Sequence, residues 1–196
     1  MNRRSILMML VAACTFGLAA CDFGTVDQGR VIAFDEASRN VTIVQDVKHD
    51  QRNPEYSGAV VTYKLPDNPA EVGPLPSAGG RLKLDVEKKC VVIYNPATKA
   101  IETVAVNFTD LQRDINKDHP LVKGKKFPVI DKVKNTVTEY SPRQKVLATF
   151  VVPADKIALP DNVWEAGHEV RIYYKENAAH QALRFMNITK TNIYKK

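Results

Sequence analysis

From residue 29 onward the chain alternates between short apolar–polar runs and polar breaks, a pattern of strands and turns. Leu82, Leu84 and Val86 alternate with Arg81, Lys83 and Asp85, and Val170, Ile172 and Tyr174 alternate with Arg171, Tyr173 and Lys175. A period of two puts one set of side chains on a core and the other in water. The stretch from Cys90 to Tyr94 is apolar throughout, as suits a more deeply buried strand. The segments VTIV, AVVTY, VVIY, TVAV and TFVV add the β-branched side chains that fit a pleated surface. Pro66, Pro69, Pro74, Pro76, Pro153 and Pro160 fall between these runs and end them. One segment reads differently. Thr109-Asp110-Leu111-Gln112 has the form of a capping box, in which the Thr hydroxyl and the Gln amide each satisfy an end-of-helix N–H. It predicts a short helix running to about Lys117 and stopping before Pro120.

The runs also repeat. VIAFDEASRNVTIV at 31–44 aligns without a gap on VVIYNPATKAIETV at 91–104, setting Phe34 on Tyr94, Asp35 on Asn95 and Arg39 on Lys99. A third version, VTEYSPRQKVLATF at 137–150, matches when one turn residue is dropped. Each reads as a β-hairpin with an aromatic ahead of a turn opened by Asp35, Asn95 or Ser141, whose side chains bond to nearby backbone. A second match sets AGGRLKL at 78–84 on AGHEVRI at 166–172, each preceded by an apolar strand ending in Pro. Together they predict a duplicated β module.

The first 21 residues follow other rules. Arg3 and Arg4 precede an apolar stretch, and Leu18-Ala19-Ala20 leads into Cys21. The apolar run is too short for a bilayer, which takes roughly 20 residues, and the order is that of an export signal. It resembles the bacterial lipobox, which implies that the Cys21 thiol carries a diacylglycerol and that residues 1–20 are removed. Asp22 to Gln28 then form the tether, reaching roughly 25 Å when extended.

Composition narrows the function without naming it. The chain is 44% hydrophobic and 26% charged, which suits a globular fold. Losing Arg3 and Arg4 leaves 26 basic against 22 acidic side chains, too mild a balance to point to nucleic acid. With Cys14 removed and Cys21 lipidated, Cys90 has no disulfide partner and reads as a small core residue. His49, His119, His168 and His180 form no metal-ligand pair, and no phosphate loop or G-x-S-x-G occurs. The Asp114–Asp118 run lacks the closing carboxylate of a calcium loop, so neither metal nor cofactor is expected. The candidate partner-binding residues are Trp164 and Tyr173, as stacking aromatics, and the basic loop Lys123, Lys125 and Lys126. Trp164 has a competing reading as a plug in the core.

GxVxxxD followed by a hairpin, and AGHEVRIYY with ALRFMNIT, resemble small five-stranded OB-like barrel modules of bacterial envelope proteins. The whole chain is similar to uncharacterised lipoproteins of Desulfovibrio-type bacteria that carry a domain of unknown function. The expected architecture is therefore all-β: module 29–108, a short helix and basic loop at 109–128, and module 129–196. The expected role is a non-catalytic binding or assembly module, held to the bilayer through Cys21, facing the periplasm and meeting an envelope protein or polysaccharide. Asp22 beside the lipid-bearing cysteine leans toward the inner membrane. A small-ligand carrier within a barrel and, behind it, a cell-wall hydrolase are the alternatives.

Overall fold

The structure is a computed structural model that describes residues 24–50 and 53–191. In chain order β1 (Gly24–Asp35), β2 (Asn40–Asp46) and β3 (Tyr56–Lys64) come first. They are followed by β4 (Arg81–Asp85), β5 (Cys90–Asn95) and β6 (Ala100–Ala105), then β7 (Asn107–Gln112), β8 (Val129–Asp131), β9 (Thr136–Ser141) and β10 (Val146–Val151). One helical turn, α1 (Ala154–Ile157), precedes β11 (Glu169–Lys175) and β12 (Ala182–Asn187). The fold is all-β, as the alternation predicts. The strands form three antiparallel sheets, ordered β12-β11-β1-β2-β3, β4-β5-β6 and β7-β10-β9-β8.

None of the sheets closes into a barrel. The first curls: isolated parallel bridges join Lys64 to Gln181 and Val72 to Phe185, drawing the end of β3 and the chain beyond it toward β12. The expected boundary between modules does not separate the sheets either. β1 pairs with β11 from Gly24 opposite Lys175 to Arg30 opposite Glu169, so the two ends of the chain share one sheet. Strands β4 to β10 are inserted between β3 and β11 and pack as a sandwich. Local patterning shows where strands are but not which strands they pair with.

The helix expected from Thr109 is β7. Phe108 pairs with Phe150 and Leu111 with Ala148 across β10, and the Thr109 hydroxyl donates to the Thr149 carbonyl instead of capping a helix. Phe108 and Leu111 pack on the sandwich core. Tertiary pairing overrides a local capping signal of about 1 kcal/mol. The tether is also shorter than expected, because residues 24–28 belong to β1. Among the described residues no helix is long and apolar enough to cross a membrane.

The hairpin repeat survives, and it is more regular than the sequence match. Five four-residue turns share one form, opened by Asp35, Asp85, Asn95, Asp131 or Ser141. In four of them the opening side chain accepts a backbone N–H two or three residues on, from Ala37, Lys88, Ala97 or Val133. The last turn residue is left-handed in all five: Arg39, Lys89, Lys99, Asn135 and Lys145 have φ between 52° and 57°. The turn after Ser141 has the same length as the others, so no residue need be dropped to align it. Phe34 and Tyr94 nonetheless sit in different places, each half-buried, Phe34 on the five-stranded sheet's core and Tyr94 on a cluster with Val44 and Leu82.

The sandwich core joins Leu84, Val91 and Ile93 to Val137, Ala148 and Phe150. Val31, Ile43, Tyr63, Ile172 and Phe185 fill the concave side of the five-stranded sheet. Cys90 is buried at the end of the sandwich, and burial pushes its thiol up in pKa, in keeping with an inert core position.

Candidate functional site

The sandwich meets the five-stranded sheet where the AGG and AGH segments of the repeat cross. Gly80 and Ala166 form an antiparallel bridge, Gly79 N–H donates to the Val31 carbonyl, and Val31 N–H donates to the His168 carbonyl. The backbones are too close for side chains: a Cβ on Gly167 would lie 1.9 Å from the Val31 oxygen, and one on Gly79 2.3 Å from the Glu165 oxygen. The residues that follow each copy, Arg81 and Glu169, are carried by this crossing to the same cleft.

That cleft has a volume of about 740 Å³ and is lined by Arg30, Arg81, Arg143, His168 and Glu169, with Lys83, Glu87 and Arg113 at its mouth. Arg30 and Glu169 are cross-strand neighbours on β1 and β11. Three donors converge on the Glu169 carboxylate: the Tyr56 hydroxyl, Arg30 at 3.4 Å and Arg143, whose guanidinium reaches both oxygens at 2.5 and 2.6 Å. The Arg30 guanidinium also stacks 4.5 Å from the centre of the Tyr56 ring and donates to the Arg81 carbonyl. Behind them Glu139 of β9 faces Arg81, with Arg81 Nε 2.6 Å from Glu139 Oε2. The contact is ionic but poorly aligned, and among the described residues neither Glu139 oxygen accepts a true hydrogen bond.

Burial sets the electrostatics. The Glu139 side chain is 1% exposed and that of Arg81 9%, so loss of hydration opposes charge on both. For Glu139 burial outweighs the attraction of Arg81 and Arg30, and its carboxyl is pushed up to about 7. Burial also raises Glu169, against the pull of Arg30, and lowers Arg30, Arg81 and Arg143. His168 is lowered by burial and by Lys190, and its Nδ1 accepts the Ser77 N–H. Fixed guanidinium groups around carboxylates largely withdrawn from water are equipped to recognise polar groups non-covalently. Among the described residues no three His, Cys, Asp or Glu side chains gather as a metal site.

The residues singled out from sequence lie elsewhere. Cys21 is outside the described residues. Trp164 is 0% exposed within the sandwich core, against Phe150, so it is a core plug and not a stacking surface. Among the described residues its indole N–H finds no partner. Tyr173 is 36% exposed on the outer face of β11, in a shallow depression with Val26, Glu71, Leu183 and Arg184. Lys123, Lys125 and Lys126 are exposed on a turn where Gly124 has φ 72°, and none of them lines the cleft. The fold therefore brings none of these positions together.

The cleft residues were missed because charges in alternating runs read as solvent-facing. A signal was present at Glu139, which has the parity of buried Val137 and Ser141. The repeat held a second one, since Arg81 and Glu169 occupy matching positions in it.

A family model described as a domain of unknown function (DUF4881) matches residues 22–196. The chain belongs to this family. No curated protein and no solved structure matches it. The DUF4881 region takes in the five-stranded sheet and the inserted sandwich together, so the cleft between them lies wholly within the family's domain.

Proposed function

We propose that the mature protein is a lipid-anchored, non-catalytic binding module of the bacterial envelope that engages a polar partner, protein or polysaccharide, in the cleft between its two layers. The anchor rests on the basic start, apolar stretch and Leu-Ala-Ala-Cys order ending at Cys21. The family model beginning at residue 22 supports a leader separate from the domain. An OB-like reading of the five-stranded sheet is supported by its strand order and by the parallel bridges that draw β3 toward β12. The concave side of that sheet is filled by Tyr63 and Phe185, which favours an external groove over an enclosed carrier cavity.

The observation that carries the reading is the arginine-lined cleft. Glu169 is preorganised by Tyr56 and Arg30 and in turn holds Arg143, while the pairs at its mouth, Arg113–Glu87 and Lys83–Asp85, are partly to largely exposed. Exposed pairs contribute about 0–1 kcal/mol, so a ligand's own polar groups can replace them at small cost. Two measurements test this. Cys21→Ser should abolish palmitate incorporation, and normal labelling of that variant would overturn the anchor. A photo-crosslinking residue at Arg113, used in whole cells, should capture an envelope component that the same residue at Lys125 does not. Capture at Lys125 alone, or at neither position, would overturn the cleft as the binding face.

A further inference from the structure

The outer face of β1 and β11 changes character along its length. Val26 lies opposite Tyr173, Asp27 and Gln28 lie opposite Ile172 and Arg171, and Arg30 lies opposite Glu169. Same-face rungs therefore run from apolar (Val26, Tyr173) through polar (Gln28, Arg171) to charged (Arg30, Glu169). Leu183, the extra residue in an irregularity of the β11–β12 pairing, extends the apolar end. Val26 is 49% exposed, Leu183 40% and Tyr173 36%. The pair Arg184–Glu71 borders this patch at 2.7 Å.

The apolar end is also the end nearest the expected lipid. Gly24 opens β1, and the Tyr173 ring lies directly over it: a Cβ there would be 2.3 Å from Tyr173 Cε2. Only three residue steps separate Gly24 from Cys21, at most about 11 Å of chain. A diacylated cysteine is fixed at the headgroup–acyl boundary, so Gly24 must lie within about 11 Å of that plane, with the Tyr173 ring beside it. Tyr is well suited there, with an apolar ring and a polar tip.

We propose that Val26, Tyr173 and Leu183 form the face on which the anchored protein rests against its bilayer. The inference rests on lipidation of Cys21 and adds the orientation of the domain. It reassigns Tyr173 from stacking on a soluble ligand to contact with lipid. It also places the cleft: Arg30 is four residues beyond Val26 on the same strand, about 13 Å farther along it, so the cleft lies at the end of the strand remote from the anchor.

The test uses the full lipidated chain in phosphatidylethanolamine–phosphatidylglycerol vesicles carrying a doxyl-labelled lipid. Leu183→Cys and, separately, Lys125→Cys are labelled with an environment-sensitive fluorophore; Cys90, being buried, stays unlabelled in folded protein and so reports on folding. The label at residue 183 should shift to the blue and be quenched by the doxyl lipid, while that at residue 125 should match the protein in solution. Quenching at neither site, at residue 125 alone or equally at both overturns the proposal. Palmitate incorporation measured on the same samples separates the two claims. If it is absent, the anchor fails and the orientation with it; if it is present without quenching at residue 183, the orientation alone fails.

Discussion

The sandwich interior is apolar to its centre, whereas the seam joining the sandwich to the five-stranded sheet buries Arg30, Arg81, Glu139 and Glu169. At their centres both exclude water, since Trp164 and Glu139 are almost equally hidden. They differ in what holds them. Phe150 meets Phe108 edge-on and Trp164 at a tilt, and stability there scales with packed apolar volume. In the seam, attraction between charges must offset the cost of stripping their water, and the balance is close to zero. A contact so weakly favourable in energy specifies geometry more than it adds stability, which suits a place where two layers must meet in one orientation around a cleft.

The largest effect is expected on the apolar side. Trp164→Ala should destabilise the fold by about 3–5 kcal/mol, read from the denaturant midpoint, because a large cavity opens between both sheets. The loss is slightly offset by removal of an indole N–H that has no partner among the described residues. A change below about 1 kcal/mol would show that Trp164 is not the centre of the sandwich.

How much of this was legible in the sequence depends on the range of the interaction. Strands at 81–85 and 169–175 followed from alternation, and the hairpin turns from Asp35 and Asn95, because these depend on neighbours within a few residues. β7 departs from the expected helix because Thr109 and Gln112 carry a local helix signal while the groups they meet, the Thr149 carbonyl and Leu147, lie more than thirty residues away. The pairing of β1 with β11 joins the chain's two ends and leaves no local trace. The seam was legible only in retrospect, through the AGG–AGH match and through a glutamate on the buried parity of β9.

The seam itself should respond asymmetrically to substitution. Glu139→Leu leaves the Arg81 guanidinium buried without its counter-charge, and arginine does not shed its proton, so a cost of about 3–5 kcal/mol is expected. Arg81→Met should cost less, since Glu139 can accept a proton once its partner is gone. The double variant Arg81→Met, Glu139→Leu should return to within about 1 kcal/mol of the wild type or exceed it. Additive losses in that thermodynamic cycle would mean that the pair contributes net stability and that the contrast with the sandwich is wrong.

The smallest effect isolates Glu139 by pH. Its folded pKa, about 7, lies above the 4.5 of the unfolded chain, so the folded state holds the proton more tightly. The resulting stability is fully present below pH 4.5 and is lost as pH rises through 7, amounting to about 3 kcal/mol at most. Raised Glu169 acts with the same sign. His168, lowered by burial, acts oppositely: its contribution is present above its unfolded pKa and is lost as pH falls. The informative quantity is therefore the difference from Glu139→Gln, which has the same shape but cannot titrate. Between about pH 5 and about pH 8 the wild type should lose stability relative to this variant, whatever the variant's absolute stability. Parallel curves would mean that Arg81 and Arg30 hold Glu139 ionised throughout, and the seam would then be a stable ion pair instead of a carboxyl poised between its two charge states.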